Sequence, residues 1–229
     1  MLNVKQPPIL VVAALSYELQ KLKSVAHTGI VLLETGEGIK NAKRQLDDWL
    51  ERNDARAALN IGFAGGLSAS LQPGDIVVAR EVKDSLPQPD PSLLAASQEL
   101  PVNFPVRFGI AITSREILWQ AESKRKLAKM LGEEEVGFVD MESTAIAEVC
   151  ATRGLPFLIA RSITDLLDED LPLDFNLCRG EDGRVDSKLV MKATLSKPSA
   201  VKGLLELRKR SSLCAERMAE FVVRLSERL

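Results

Sequence analysis

The sequence predicts an α/β sandwich built on a mostly parallel or mixed sheet, and three observations predict it. Apolar, β-branched runs alternate with helical periods along the chain. The runs are apolar throughout, as strands covered on both faces are. Neither an internal repeat nor a low-complexity linker interrupts them. With 229 residues, 45% of them apolar, the chain can bury one sizeable core. We read a single domain over 1–229, with a helical extension from about residue 187.

The elements follow in order. Residues 9–14 (ILVVAA) read as a buried strand, and Ser16 as the cap of a short helix with Leu19, Leu22 and Val25 inward. A second strand is expected over 30–33. Gly36-Glu37-Gly38 reads as a turn, and 41–52 as a helix with Leu46, Trp49 and Leu50 inward. A third strand over 57–61 enters the turn Gly62-Phe63-Ala64-Gly65-Gly66, and a fourth spans 75–82 after Pro73-Gly74. Five prolines within 86–105 predict an irregular loop. A strand over 106–113, a helix over 119–131, a short strand over 137–140, a helix over 142–153 and a buried strand over 156–163 complete the alternation. Two helices, about 187–195 and 200–228, close the chain around Pro198.

Composition excludes several classes. A net charge of −2 and 4% aromatics predict no nucleic-acid surface. No run of eighteen apolar residues predicts a membrane span, and residues 1–8 are too short and polar for a secretory signal. Cys150, Cys178 and Cys214 lack metal or redox spacing, so reduced thiols in the cytoplasm are expected. The single histidine, His27, is expected on the surface, and one histidine cannot build a multi-histidine metal site. No metal is predicted. Acid–base chemistry then falls mainly to carboxylates, with Lys, Tyr or Cys as the other options.

Three segments place candidate groups at strand carboxyl ends, where α/β folds bind ligands. Gly62 to Leu67 lets a ligand approach the backbone, with a tight turn as the alternative use of the glycines. Val139-Asp140-Met141-Glu142-Ser143 sets Glu142 at a helix N-terminus, a place that also suits a purely structural carboxylate. Arg161-Ser162-Ile163-Thr164-Asp165 ends in an Asp that either meets a ligand or caps a turn. Asp168-Glu169-Asp170 reads as a solvated loop. Gly36-Glu37-Gly38 fails the dinucleotide spacing, because the third glycine would fall at Asn41.

Residues 14–19 with Glu18, then GFAGGL (62–67), LQPGDIVVA (71–79), VDMESTAIAEVC (139–150) and FLIARSITD (157–165), occur in the order of the nucleoside phosphorylase/nucleosidase superfamily. The set resembles most the methylthioadenosine/S-adenosylhomocysteine nucleosidases, over about residues 9–168. The resemblance implies a three-layer α/β/α sandwich with a twisted mixed sheet, a purine nucleoside as small-molecule substrate, a homodimer and no cofactor. It implies that Asp165 protonates the purine at N7 and that Glu18 activates water. Glu142 would bind the ribose hydroxyls, Met141 the sugar, and Arg161 the region of ribose and nucleophile. Ala64 and Gly65 would lie beside sugar and base, and Ile117 and Leu118 against the purine. Such chemistry needs Asp165 neutral, which burial favours, and Glu142 anionic, to stabilise a cationic sugar.

The sequence also departs from that pattern. Phe63 stands where a small hydroxyl residue is usual, Thr164 replaces Ser, and Thr113-Ser114-Arg115-Glu116 replaces Ser-Gly-Asp. The tail after Asp165 resembles the hopanoid-associated phosphorylase branch. Leu189, Val190, Met191 and Leu195 are expected to pack on the core, with an apolar lid as the alternative. Glu18 stands where a phosphorylase would need a phosphate-binding arginine, so hydrolysis is predicted. Arg115 and Arg161 keep open the alternative, with phosphate as co-substrate, and a non-catalytic nucleoside binder is a further one.

Overall fold

The computed structural model describes residues 6–25, 29–132, 134–180 and 184–229; His27 lies outside them. Seven strands form one sheet: β1 (Ile9–Ala13), β2 (Ile30–Glu34), β3 (Ala57–Gly66), β4 (Ile76–Val82), β5 (Val106–Thr113), β6 (Gly137–Asp140) and β7 (Phe157–Asp165). The order is β2-β1-β3-β6-β5-β4-β7, and β7 returns to pair with β3, so five of the strands close on themselves. The sheet is mixed. β1 is parallel to β2 and β3, and β3 to β7, while β6 runs antiparallel to β3 and β4 antiparallel to β7.

Helices cover both faces, giving the three layers expected. Successive strand residues point to opposite faces. Leu10 and Val12 therefore face Leu46 of α3 (Ile39–Leu50) and Ile146 and Cys150 of α6 (Ser143–Thr152). Val11 and Ala13 face Leu19 of α1 (Ser16–Leu19), Leu22 of α2 (Leu22–Val25), and Met218, Phe221 and Val222 of α8 (Ala200–Ser226). Burial pushes the Cys150 thiol up to about 12, so it serves as a small apolar group. Among the described residues no helix is long and apolar enough to cross a membrane.

Four local differences from the sequence reading have physical causes. The glycine run is strand, not turn, because β7 pairs with β3 from Ala58↔Phe157 to Gly65↔Asp165 and satisfies its backbone. A register shift between Ala64 and Gly65 then lets the end of β3 meet β6. The proline-rich segment holds a helix, α4 (Pro91–Ser97). Asp90 caps it by accepting from Ser92 N and Leu93 N, and Pro91 occupies its first position. Leu15, not Ser16, caps α1, and the Glu18 carboxylate reaches back to accept from Leu15 N at 2.8 Å. Finally, α5 covers only Ala121–Ala128, because Asp170 Oδ1 takes the Ala121 N–H at 2.8 Å and starts the helix there.

Candidate active site

The carboxyl ends of β1, β3, β6 and β7 converge on a cavity of about 300 Å³. Glu18, Phe63, Ala64, Gly65, Ile117, Leu118, Met141, Glu142 and Asp165 all line it, so nine of the ten expected site residues meet there. Arg161 does not line it.

Glu18 enters from α1. Its Oε1 accepts from Phe63 N and its Oε2 from Leu15 N, each at 2.8 Å. Both oxygens are thus held by backbone amides, and the side chain is buried. Burial raises its pKa above the ordinary carboxylate value; the two amides and the Arg161 charge oppose the rise. Phe63 keeps a polar contact by its backbone, while its ring meets Tyr17 edge-on at 6.1 Å.

Arg161 lies behind the wall, fully committed to the protein. Its Nη2 pairs with Asp140 Oδ2 at 2.6 Å and donates to Asn60 Oδ1, and its Nη1 donates to the carbonyls of Asn60 and Ala160. It stands near the cavity, close enough for its charge to act on Glu18 and Glu142, but does not line it. A guanidinium emerging from a fully buried strand finds carbonyls and a carboxylate before it finds the cavity. Asp140 in turn accepts from Ser143 N at 3.2 Å and from Ser143 Oγ, ordering the start of α6.

Glu142 is the N-cap of α6 and accepts from Gly38 N at 2.6 Å. Gly38 has a φ of +86°, a conformation that aims this amide at the carboxyl and that glycine adopts without strain. Burial, then the neighbouring Asp140 charge, push Glu142 up to about 8. Both effects favour the protonated form of this carboxyl. Met141 lines the cavity beside it and takes a contact from Arg179 Nη2 at 3.3 Å.

Asp165 ends β7. Its Oδ1 accepts from Thr164 Oγ1 at 3.0 Å, and its Oδ2 faces Lys124 Nζ at 2.6 Å. Its neutral form was expected against a bound base; in the structure the carboxyl faces a buried lysine. Lys124 had no place in the sequence reading, since helix α5 (AESKRKLA) reads as a solvated, charged face.

On the remaining wall, Asn176 fixes Ile117 by two bonds, accepting from Ile117 N and donating to Ile117 O, both at 2.9 Å. The tail supplies Leu171, Phe175, Val185 and Leu207 to the cavity. Helix α7 (Ser187–Ser196) buries none of its residues, and Met191 and Leu195 stand exposed. The expected core packing is met by α8 and not by α7, and none of Leu189, Val190, Met191 and Leu195 lines the cavity. Asp168 and Asp170 are exposed and Glu169 is half-buried, as a solvated run should be; Asp168 and Glu169 pair with Arg125 and Arg210, and Asp170 accepts from Ala121 N.

Among the described residues no group of His, Cys, Asp or Glu is placed to hold a metal. Nor does any Arg or Lys among them line the cavity, which is ringed by the carboxyls of Glu18, Glu37, Glu116, Asp140, Glu142 and Asp165. Arg115 points to solvent. Glu37 and Asn176 were not foreseen; neither carries a sequence signal, because each acts across a long chain separation.

Comparison with known proteins agrees with this architecture. A family model described as the phosphorylase superfamily matches residues 17–195. A 5′-methylthioadenosine/S-adenosylhomocysteine nucleosidase of Exiguobacterium is 27% identical over 188 residues, covering 72% of this chain and 79% of the relative. The protein of the same name from Baumannia cicadellinicola is 32% identical, covering 61% of this chain and 69% of the relative. The crystal structure of the Neisseria meningitidis nucleosidase of that name, in complex with methylthio-immucillin-A, superposes with a TM-score of 0.74 at 19% identity. It covers 97% of this chain and 100% of its own, a likeness of fold.

Proposed function

The chain belongs to the phosphorylase superfamily, and from that premise we propose that it hydrolyses the N-glycosidic bond of adenine-type purine nucleosides. The observation that carries the choice of water over phosphate is the ring of carboxyls around a cavity that no Arg or Lys lines among the described residues. An incoming phosphate would meet like charge and find no guanidinium to hold it.

The residues divide the work by chemistry. Breaking the C1′–N9 bond leaves the electron pair on the base and positive charge on the sugar. Asp165 delivers a proton to N7 and so discharges the leaving group. Glu142, with Met141 beside it, receives the ribose, and its carboxyl lies where it can accept from the ribose hydroxyls and stabilise the positive charge growing on the sugar. Glu18, held by two amides with its pKa raised, accepts the proton of the attacking water. Two carboxyls on opposite sides of a glycosidic bond perform the same division in inverting glycosidases.

A homodimer without a cofactor is part of the same proposal, resting on the family resemblance, and a cytoplasmic setting rests on the reading of Cys150, Cys178 and Cys214 as reduced thiols; light scattering in solution tests the dimer. The experiment for the function is adenine release from 5′-methylthioadenosine, with and without added phosphate. Equal rates and free sugar as product are expected. Strict phosphate dependence with a sugar 1-phosphate as product would overturn hydrolysis.

A further inference from the structure

Helix α5 and the residue just after it carry four cations, and three of them behave ordinarily. Arg125 and Lys126 are exposed, as is Lys129 just beyond the helix, while Lys124 is fully buried. Burying an ammonium is costly unless it is paired and hydrogen-bonded. Lys124 Nζ meets that condition with Asp165 Oδ2 and the Leu166 carbonyl, both at 2.6 Å. Its stem passes Gly65, where an added Cβ would come within 3.5 Å of the Lys124 Cδ and 3.1 Å of Asp165 Oδ2. The lysine therefore reaches the proposed acid from behind, out of solvent and out of the cavity.

This pairing is at odds with a simple acid. A cation beside a carboxyl favours the carboxylate, the form that has no proton to give. A lysine kept only for stability would work against Asp165. The conflict disappears when the proton belongs to the pair and not to either member.

We propose that Lys124 is a positioning residue and the proton source behind Asp165. The inference rests on the reading of Asp165 as donor to N7. As the C1′–N9 bond breaks, its electron pair moves to the base. The N7–H bond forms at the expense of an Asp165 O–H bond. Asp165 takes a proton from Lys124 Nζ, leaving a neutral amine beside a carboxylate. Water oxygen bonds to C1′ and its proton passes to Glu18. After the base leaves, Glu18 returns its proton to solvent and the amine takes one back, so the cycle consumes only water.

The groups around the pair permit this. Glu169, after β7, feels the Lys124 charge but is held by Arg210 of α8 at 2.6 Å. Cys214 of α8 feels Asp165, and burial pushes its thiol up to about 11, so it stays protonated. Asp170 is occupied with the Ala121 amide, and Thr164 donates to Asp165 Oδ1.

The test is the pH profile of kcat/KM for adenine release from 5′-methylthioadenosine by wild type, Lys124→Met, Lys124→Arg and Asp165→Asn. Lys124→Met should lose about 100-fold or more at pH 8, with the loss shrinking as the pH falls and solvent supplies the proton in place of the lysine. Its alkaline limb should move to lower pH by more than one unit. Lys124→Arg keeps the charge but cannot release a proton, so it should stay at least about tenfold below wild type at pH 8. Thermal unfolding checks that each variant is folded, and Lys124→Arg carries the test alone if Lys124→Met is not. A uniform loss with an unmoved limb, or a fully active Lys124→Arg, would overturn the inference. An inactive Asp165→Asn beside either of those results leaves the donor reading standing and removes only the role of Lys124. A fully active Asp165→Asn removes both.

Discussion

The Cβ that residue 62 lacks would stand 2.6 Å from Glu18 Oε1, so Gly62 makes the room in which the proposed base is held. The strand could carry a side chain there in any other respect, because Gly62 has no left-handed φ and pairs with Arg161 of β7 in ordinary register. The glycine serves the carboxylate and not a turn.

Gly62→Ala follows directly from that distance. The colliding atom is the tip of a flexible side chain, so Glu18 swings aside and the sheet keeps its register. We expect kcat to fall at least about tenfold, as removal of a positioned base does, with stability changed by no more than about 1 kcal/mol. Steady-state kinetics and thermal unfolding read the two effects separately. Unchanged kcat would show that the Glu18 position is immaterial.

Glu142 predicts a pH signature in stability. Its carboxyl sits at about 8 in the folded protein against an ordinary 4.5. The folded state keeps a proton that the unfolded chain releases, so this group lowers stability progressively from about pH 4.5 to about pH 8 and no further above. Glu142→Gln carries no such proton and still offers an oxygen to Gly38 N. Its unfolding temperature should gain on wild type across that window, with a ceiling of about 5 kcal/mol at 1.36 kcal/mol per unit. Parallel curves would contradict the raised value.

Arg161 and Asp140 form a buried pair behind the cavity at 2.6 Å. Arg161→Met leaves Asp140 as an uncompensated charge and should cost about 3–5 kcal/mol of stability. Adding Asp140→Asn should recover a substantial part, since Asn still accepts from Ser143. Denaturant unfolding of the two single variants and the double variant measures the coupling. Additive losses would show that the pair is not a unit.

The legible parts of this protein are those where local chemistry and tertiary role agree. The apolar β-branched runs of β1, β2 and β7 are strands as read, and β5 and β6 fall on the residues expected. Asp165 is visible because it ends a strand, Glu142 because it stands at a helix N-terminus just after one, and Glu18 because its motif stands in order with theirs. What escaped the sequence is what only the third dimension decides. Five consecutive residues rich in glycine read as a turn until β7 is known to pair along them. The Asp90-Pro91 helix start hides among prolines that elsewhere break structure. Arg161 was placed near the ribose by resemblance alone, and its side chain leaves β7 four residues before the strand end and turns to Asn60 and Asp140. Lys124 was invisible because nothing in AESKRKLA distinguishes a buried lysine from a solvated one.

The measurement closest to the centre of this account is adenine release from 5′-methylthioadenosine in phosphate-free buffer by wild type and Asp165→Asn. Wild type should turn over fully without phosphate, and the Asn variant, folded but unable to supply the N7 proton, should lose about 100-fold or more in kcat. Wild-type rates from the Asn variant would contradict the assignment of Asp165 as the acid.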